Sequence, residues 1–406
     1  MTDETADQAG VLRDKLADEL AAAGYITSAE VDRAFRTVPR HAFVPAGTPL
    51  EVTYRLDEAV VTKRDENGIA ISSISAAFVQ TAMLEQAELK SGMIVLEIGA
   101  GGPNAAMAAE IVGPEGHVVS ADIDPEVTNR AKPSLEATGY GDRVTVLTAD
   151  AGHEIPGYDK FNATIVTVGA WDLAPAWRNQ LAEGGTLVVP LRMNGVSRSI
   201  AFRRVNDHLV STSSVVCGFV AMQGVGEHID REFRLPDPNG HIVTLRFDDG
   251  APDNPALLDG VLASERSEAW SGVTVGGSES FADLHLWFAS YLPGFCKLAV
   301  EEGTELAQER KTWFPFAGVR GDSFAYLSVR PAPGGSGVEF GARAYGAHGQ
   351  EAAAAMVEQI QAWDERARNR AEPTFAYWPT GTTPVISEGT ATFTKTHGLV
   401  TISWPA

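Results

Sequence analysis

The alternation of apolar and polar stretches along the first 227 residues predicts helices and strands that follow one another in turn. An amphipathic repeat covers residues 11–23, and a capping box at Thr27-Ser-Ala-Glu30 opens a second helical repeat that stops at Pro39. Short apolar runs separated by helical stretches predict buried strands at 94–98, 117–122, 143–148 and 161–168. This order predicts a mostly parallel, doubly wound α/β sheet.

Turn residues predict further elements in this first part of the chain. Asp65-Glu-Asn-Gly68 predicts a hairpin within an irregular stretch, and Ser75 is expected to open a helix. Gly184-Gly185 predict the turn into a fifth strand. The fifth and the following strands are expected at 186–191, 198–205 and 208–223.

A break in the pattern at residues 228–240 predicts a boundary between two units, because this stretch has two prolines, a glycine and few apolar residues. Beyond it, helices are predicted at 280–291 and from Gln350 to about Arg370. Strands are predicted at 241–247, 296–300, 322–330, 337–345 and 391–404. The expected division is an N-terminal helical and substrate-loop part (1–90), a core with the parallel strands (91–229) and a C-terminal α+β domain (230–406).

The glycine turn after the apolar run Ile94–Ile98 is the most informative stretch of the chain. Gly99 and its neighbours allow close approach of a ligand, because glycine has no Cβ, and a helical stretch follows the turn. This order predicts a nucleotide-type site at the carboxyl end of the first parallel strand. A dinucleotide fingerprint would need glycine at the position of Asn104, and no Lys-Ser/Thr pair follows the glycines. The turn therefore indicates neither a dinucleotide site nor a P-loop.

Acidic residues lie at the ends of three predicted strands. Glu97 lies two positions before the first glycine, Asp122 ends the second strand and Asp150 follows the third. S-adenosylmethionine (SAM) has no phosphate, but its amino group, ribose diol and adenine amine can donate hydrogen bonds to carboxylates. The acids and the glycine turn together predict SAM as the cofactor. The alternative is an ordinary α/β sheet whose strand ends are acidic.

Composition and charge limit the range of partners. The chain has 406 residues, of which 44% are hydrophobic, and a net charge of −21. We expect no nucleic-acid partner, because phosphate binding uses clustered Lys and Arg. We expect no membrane partner and a cytoplasmic location, because no segment has the ~18 apolar residues of a membrane span and the first residues do not resemble a signal peptide. Cys217 and Cys296 are expected to be free thiols in apolar surroundings, and the dispersed histidines predict no metal site.

Residues 11–227 resemble the protein-L-isoaspartate O-methyltransferases. The motifs that carry this resemblance are collinear: Val38-Pro-Arg-His-Ala-Phe-Val-Pro45, Ser73-Ile-Ser75, Val95-Leu-Glu-Ile-Gly99, Asp122, Asp150, Ile165-Val-Thr167, Gln180-Leu181, Gly184-Gly185 and Val188-Val-Pro190. The resemblance implies a Rossmann-like class I SAM-dependent methyltransferase, here with the C-terminal α+β domain added, and a carboxylate as the methyl acceptor.

The resemblance also implies the residues of the site. Ser75 is expected to be catalytic by donating a hydrogen bond to the acceptor carboxylate, and the alternative is that Ser75 only caps its helix. The cofactor is expected to contact Glu97, Gly99, Ala100, Gly101, Asn104, Asp122, Ile123, Asp150 and Ala151. The substrate is expected to contact Ser73, Ile74, Thr167, Val168 and Gly169.

Where the chain departs from the family pattern, it resembles a subgroup of the family. Gly99-Ala-Gly-Gly-Pro-Asn104 replaces the usual G-x-G-x-G-Y, Ala76-Ala77 stands where proline is usual, and the repair enzymes lack residues 230–406. The variant turn and C-terminal segments such as Pro293-Gly-Phe-Cys296 resemble methyltransferases encoded beside lanthipeptides (the "FxLD system") and graspetides. This narrower resemblance implies that the acceptor is an aspartate in a modified, macrocyclic ribosomal precursor peptide, with an aspartimide and then isoaspartate as later products.

Methyl transfer to a carboxylate needs no general base, because a carboxyl group with a pKa of about 4 is already ionised at neutral pH. Catalysis would then consist mainly of positioning. Two alternatives stay open: repair of isoaspartyl proteins, and a non-catalytic accessory protein that binds SAM or a peptide, since Pro103 alters the turn. The tryptophans of residues 230–406 are expected to help that part recognise the peptide.

Overall fold

The computed structural model describes residues 3–405. The helices are α1 (Asp3–Ala22), α2 (Ala29–Thr37), α3 (Leu50–Thr53), α4 (Ala77–Ala87), α5 (Pro103–Val112), α6 (Pro125–Ala137), α7 (Pro175–Asn179), α8 (Ala282–Tyr291), α9 (Glu305–Gln308) and α10 (Gly349–Arg366). None of the helices in this part of the chain is both long enough and apolar enough to span a bilayer.

The strands form a hairpin and two larger sheets. In chain order they are β1 (Val60–Arg64), β2 (Ala70–Ile74), β3 (Ile94–Ile98), β4 (His117–Asp122), β5 (Val144–Thr148), β6 (Phe161–Val166), β7 (Leu181–Met193), β8 (Val196–Val205), β9 (His208–Val216), β10 (Arg231–Pro236), β11 (Ile242–Phe247), β12 (Ser267–Val275), β13 (Phe295–Val300), β14 (Trp313–Arg320), β15 (Ser323–Pro331), β16 (Val338–Tyr345), β17 (Thr374–Pro379), β18 (Ala391–Thr394) and β19 (Gly398–Ser403).

The large sheet has the strand order β18-β19-β17-β9-β8-β7-β6-β3-β4-β5. Its strands from β7 to β5 pair in parallel, which confirms the predicted α/β core. The strands from β7 to β18 pair antiparallel. Near-continuous apolar runs form the parallel strands because helices or other packed elements cover both faces. On one face, α1, α2, α4 and α5 contribute to a single buried cluster with β3.

The second sheet has the order β10-β11-β13-β14-β15-β16-β12, and every neighbouring pair in it is antiparallel. Helix α10 packs on this sheet with buried side chains such as Met356 and Trp363. A single cluster of buried apolar residues connects Leu187 of the large sheet through Phe288 to Phe340 of the antiparallel sheet. The two sheets are therefore joined by a continuous hydrophobic core.

The C-terminal strands correct the predicted division of the chain. Strand β17 pairs with β9 through Ala376–Val210 and Tyr377–Leu209, so residues 374–403 complete the large sheet instead of belonging to a C-terminal domain of residues 230–406. A strand edge carries unpaired N–H and C=O groups, which β17 satisfies on β9. Apolar alternation predicts a strand but does not show which edge it joins, so the sequence could not reveal this return.

Other differences concern single elements. Strand β10 lies in the stretch predicted to be a linker, and the predicted strand 208–223 ends at Val216. The predicted strand 391–404 is two strands, β18 and β19, which pair with each other. Strands β12, β14 and β17 were not predicted. The hairpin expected around Asp65–Gly68 is confirmed, because β1 and β2 pair antiparallel on either side of it.

Candidate active site

A cleft of about 670 Å³ opens where the parallel strands end at their carboxyl edge. A smaller chamber of about 340 Å³ shares part of its wall with the cleft and extends towards α4. All the predicted site residues except Ala100 and Gly169 line one of these two spaces: Ser73, Ile74, Ser75, Glu97, Gly99, Gly101, Asn104, Asp122, Ile123, Asp150, Ala151, Thr167 and Val168. Their contact with ligands stays a prediction.

The glycine turn is held in place by contacts that leave no room for a side chain. Gly99 has a φ of 102°, and a Cβ there would lie 2.3 Å from Thr167 Oγ1. The Thr167 hydroxyl lies 2.9 Å from the carbonyl oxygen of Ile98 and 3.1 Å from that of Gly99, and so ties the end of β6 to the turn. Gly102 also has a positive φ of 101°, and a Cβ there would meet the Phe43 ring at 2.6 Å. The backbone is therefore kept open towards the cleft.

Pro103 does not disrupt this turn. It is the first residue of α5, directly after the N-cap position at Gly102. Proline is favoured at this position, because its missing N–H would have had no partner within the helix. The departure from the family pattern therefore preserves the strand, turn and helix that the sequence predicted.

Glu97 is a buried carboxyl group with one oxygen left unpaired. Its side chain is 1% exposed, the Ser120 hydroxyl donates to Oε2, and Oε1 has no hydrogen-bond partner. Burial raises the pKa of Glu97 to about 7, against the opposing effects of Ser120 and Asn104. The Asn104 amide is also buried, and neither of its polar atoms makes a hydrogen bond of ordinary geometry. Such groups are costly unless a ligand pairs with them, and a ligand amino group suits the free carboxyl oxygen.

Asp122 is fixed by backbone donors at the end of β4. It accepts hydrogen bonds from the N–H of Ala100 at 3.0 Å and from that of Asp124 at 2.9 Å. Burial raises the pKa of Asp122. Ala100 is fully buried and holds Asp122 through its backbone N–H. Its expected contact with the cofactor stays a prediction.

The segment 217–227, which was predicted to continue a strand, instead crosses one end of the cleft. Its Val225 N–H donates to Asp150 at 2.9 Å, and Asp150 also accepts from the Gly152 N–H at 2.9 Å. Gly169 pairs with this segment through the carbonyl oxygen of Val220 and the N–H of Met222. Gly169 is not among the residues that line the cleft, and its expected contact with the substrate stays a prediction. The segment adds cleft residues that the sequence did not indicate: Val220, Ala221, Met222 and Gln223.

Ser75 lies between β2 and α4 and does not cap the helix. Helix α4 begins at Ala77, its N-cap position is Ala76, and no side chain caps it. The Ser75 hydroxyl forms no hydrogen bond with the part of the chain that the structure describes, and Ser75 lines the chamber. The capping alternative is therefore wrong, and the hydroxyl is available to a ligand.

Arg40, in the motif Val38–Pro45, is a site residue that the sequence analysis did not single out. Its guanidinium is buried and donates to the carbonyl oxygens of Thr53 at 2.8 Å and Ser75 at 2.6 Å, and to the side-chain oxygen of Gln80. Burial lowers the pKa of Arg40 to about 10, so it stays charged at neutral pH. Arg40 therefore ties the Ser75 backbone to α4.

The hairpin that leads to Ser75 is anchored beside the cleft. Lys63 of β1 forms ion pairs with Asp124 at 2.6 Å and Glu126 at 2.8 Å. Asp124 is also the N-cap of α6, because its side chain accepts from the Glu126 N–H. These contacts join the hairpin to the same strand end that carries Asp122.

Away from the cleft, His228, Asp230 and Asp248 lie close enough to hold a metal ion. However, the Arg192 guanidinium contacts both carboxylates, and His228 Nε2 lies 2.5 Å from the Asp248 carbonyl oxygen. The Arg192 guanidinium therefore already occupies the space between the two carboxylates. The two cysteines of the chain are free, and burial raises the pKa of the Cys217 thiol to about 12.

The site fits SAM on structural grounds. The turn at Gly99 excludes a Cβ, and the unpaired oxygen of Glu97 suits the ammonium group. Asp122 lines the cleft and offers a carboxylate that can accept from a ribose diol. The fold and the site together define a class I SAM-dependent methyltransferase.

Comparison with known proteins specifies this class. The family model "Protein-L-isoaspartate(D-aspartate) O-methyltransferase (PCMT)" matches residues 12–226. The protein-L-isoaspartate O-methyltransferase of Hyperthermus butylicus is 34% identical over 233 residues, which cover 54% of this chain and 91% of that enzyme. The Staphylothermus marinus enzyme of the same name is 35% identical over 219 residues, covering 52% of this chain and 94% of that enzyme.

A solved protein-L-isoaspartate O-methyltransferase superposes with a TM-score of 0.48 and 25% identity, covering 58% of this chain and 85% of that structure. The family match, together with the curated relatives, shows that the chain belongs to the protein-L-isoaspartate O-methyltransferase family. It is thus a SAM-dependent protein carboxyl methyltransferase, and the alternative of a non-catalytic accessory protein is set aside.

Proposed function

We propose that this protein methylates the free carboxylate of an isoaspartyl residue in a protein or peptide. The observation that carries this proposal is the Ser75 hydroxyl, which lines the chamber beside the glycine turn without a hydrogen-bond partner in residues 3–405. The related enzymes that match residues 12–226 carry the name protein-L-isoaspartate O-methyltransferase. A carboxylate acceptor requires positioning and no general base, and the chamber supplies hydrogen-bond donors for it.

The chain's own residues would bind and orient both reactants. SAM, when bound, supplies the electrophilic methyl group. Ser75 donates a hydrogen bond to one oxygen of the acceptor carboxylate, which restricts the direction of the other oxygen. Arg40 keeps Ser75 in place through the Ser75 carbonyl oxygen. The amino-terminal end of α4 adds a partial positive charge that favours the anion.

The test is methyl transfer from SAM to matched synthetic peptides, followed by mass spectrometry. One peptide carries an isoaspartyl residue, and its control carries a normal aspartyl residue at the same position. We expect a gain of one methylene on the isoaspartyl peptide and none on the control. Transfer to neither peptide, with SAM bound normally in calorimetry, would contradict the proposal.

A second candidate function is methylation of an aspartate in a modified ribosomal precursor peptide, and a specific cleft favours it. A space of about 1230 Å³ adjoins the SAM cleft at Met222 and lies between residues 152–154 and residues 171–179, which include α7. Its far wall includes Thr396 and His397, which lie outside the family match. The acidic side chains of Glu154, Asp172 and Glu227 line this space, and no Lys or Arg does. This lining suits a peptide with basic groups.

This second candidate predicts a preference for shape. A pre-organised macrocyclic peptide loses less entropy on binding than its linear form. The experiment compares a cyclised precursor, its linear form and a short isoaspartyl peptide, and follows a gain of one methylene and then loss of methanol. A clear preference for the cyclised peptide supports the second candidate. Equal rates on all three support the isoaspartyl proposal instead.

A further inference from the structure

The contact between Arg40 and Gln80 determines which way the Gln80 amide points. An amide has a donor end and an acceptor end that coordinates alone rarely distinguish, but a guanidinium can only donate. The Arg40 Nη1 group faces the Gln80 side chain, so the amide oxygen must lie on that side. The amide NH₂ group is consequently directed away from Arg40.

Gln80 lines the chamber together with Ser75, although its side chain is only 5% exposed. Its NH₂ group makes no hydrogen bond to an atom of residues 3–405. An amide donor that opens on the chamber and has no partner among the described residues is available to a ligand that completes it. The Ser75 hydroxyl is a second free donor on the same wall.

Arg40 makes the chamber favourable for a negative charge. It contacts two backbone carbonyl oxygens and one amide oxygen, and no carboxylate in the described chain forms an ion pair with it. A buried positive charge without a counterion attracts an anion strongly, because the surroundings screen it little. The positive charge lies directly behind Ser75 and Gln80.

We propose that Arg40 and Gln80 act as a relay in which Arg40 orients the Gln80 amide so that its NH₂ group donates to a ligand carboxylate in the chamber. Gln80 would touch the carboxylate, whereas Arg40 is a positioning residue. Two carboxylates belong to the reaction: that of the acceptor residue and that of the methionyl part of SAM. If the carboxylate belongs to the acceptor residue, this inference rests on the proposed function. If the carboxylate belongs to SAM, it does not.

The deciding variant is Gln80→Glu, which keeps the shape of the side chain and replaces the donor with a carboxylate. A glutamate there would form an ion pair with Arg40, so we expect the melting temperature to stay equal or rise. Binding of the ligand carboxylate should weaken at least tenfold, because the donor is lost and a like charge faces the ligand. A merely structural role for Gln80 predicts no loss of binding in a protein of undiminished stability.

The source of the carboxylate follows from two measurements on the full chain, calorimetry with SAM and steady-state kinetics with the isoaspartyl peptide. A raised Kd for SAM assigns the methionyl carboxylate, and an unchanged Kd with a raised KM for the peptide assigns the acceptor. If neither changes, the relay is overturned. If the wild type does not methylate the peptide, the proposed function fails, and the SAM measurement alone then decides the relay.

Two further variants separate orientation from general stability. Arg40→Lys keeps a positive charge but loses the fork that holds Ser75 and Gln80 together, so we expect kcat to fall more than SAM affinity changes. The matched control is Gln86→Glu on the same helix, where the amide contacts Ser199 and Ser213 away from the chamber. Gln86→Glu should lower the melting temperature and leave KM, kcat and the Kd for SAM within twofold of the wild type. A rise in the Kd for SAM or in KM with Gln86→Glu equal to that with Gln80→Glu would contradict the relay.

Discussion

The buried carboxyl group of Glu97, at the edge of the parallel strands, differs in its contacts from two carboxyl groups of the antiparallel unit. Glu339 and Glu279 each meet an arginine, Arg330 or Arg368, at 2.7 Å, and these contacts lower the pKa of both carboxyl groups, that of Glu279 to about 2. Glu97 meets no cation, and burial raises its pKa to about 7. The charges of Glu339 and Glu279 are therefore satisfied within the fold, whereas that of Glu97 is not.

This difference distinguishes carboxyl groups that stabilise the fold from a carboxyl group that is available to a ligand. Ion pairs complete a folded surface and leave nothing for a ligand, whereas buried polar groups without partners cost stability unless binding supplies the partner. In residues 3–405, Glu97 Oε1 and the Asn104 amide belong to the second kind, and both residues line the chamber. Substitutions near the cleft should therefore change ligand binding, whereas substitutions in the antiparallel unit should change stability at most.

The largest effect is expected at the glycine turn. Gly99→Ala places a Cβ 2.3 Å from Thr167 Oγ1 and in a strained backbone region, at a cost of about 3 kcal/mol. We expect SAM affinity to fall about 100-fold in calorimetry. The control in the antiparallel unit is Gly276→Ala, where nothing lies within 4 Å, and it should change neither affinity nor melting temperature. An unchanged SAM affinity in Gly99→Ala would contradict the proposed role of the glycine turn in SAM binding.

Ser75→Ala should lower kcat by about 10- to 100-fold and leave SAM affinity unchanged, because a hydrogen bond to a charged group contributes about 1.5–3 kcal/mol. Steady-state kinetics and calorimetry measure the two quantities separately. Ser328→Ala is the control in the antiparallel sheet, where the buried hydroxyl donates weakly to a backbone oxygen at 3.5 Å. Equal losses of SAM affinity and turnover would indicate that Ser75 binds the cofactor instead of the acceptor.

Asp122→Ala should weaken SAM binding by about 1–3 kcal/mol, the size expected for a lost hydrogen bond to a charged group. The substitution also frees the backbone N–H groups of Ala100 and Asp124, which should lower the melting temperature slightly. Calorimetry of the folded variant measures the affinity. A wild-type Kd would place the ribose elsewhere.

Because the pKa of Glu97 is raised, we expect SAM binding to depend on pH. The Glu97 carboxyl group must be ionised to receive the ammonium group, and its pKa is raised to about 7, so affinity at pH 6 should be about tenfold weaker than at pH 8. Because the pKa is raised in the folded state, its contribution to the stability of the ligand-free protein is present at acidic pH and is lost as the pH rises through 7. Glu97→Gln should flatten both profiles, and a wild-type profile in this variant would assign the titration to another group.

The smallest effect is expected from Glu339→Gln in the antiparallel sheet. Removing the charge that faces Arg330 should lower the melting temperature by about 2–4 °C at neutral pH, as for a loss of about 1 kcal/mol. The pKa of Glu339 is lowered, so this stabilisation is present above its usual pKa and lost as the pH falls below it. The melting temperatures of variant and wild type should converge in acid, and SAM affinity should not change.

The sequence predicted the parallel core and the cleft well because both depend on local signals. Buried strands, the glycines of the turn and the acids after each strand lie within a few residues of one another, and parallel strands bring their ends together. The motif that includes Ser75 is also local. These parts of the site could therefore be predicted without knowing how distant segments pack.

The parts that were missed depend on contacts between distant segments. Arg40 meets Gln80 forty residues further along the chain, and Asp150 meets the N–H of Val225 seventy-five residues away. The apolar stretch that follows Val216 is compatible with a continued strand, so its path across the cleft could not be predicted. Neither could the pairing of β17 with β9.

The return of β17–β19 to the large sheet has a consequence for how the protein is made. The antiparallel unit is an insertion within one sheet, so β9 has no neighbour on its outer side until residues near 374 have left the ribosome. During synthesis this edge presents unpaired N–H and C=O groups that can pair with another nascent chain. A fragment trimmed to the family-sized part, residues 1–229, keeps that open edge permanently and should aggregate, although it contains the whole SAM cleft.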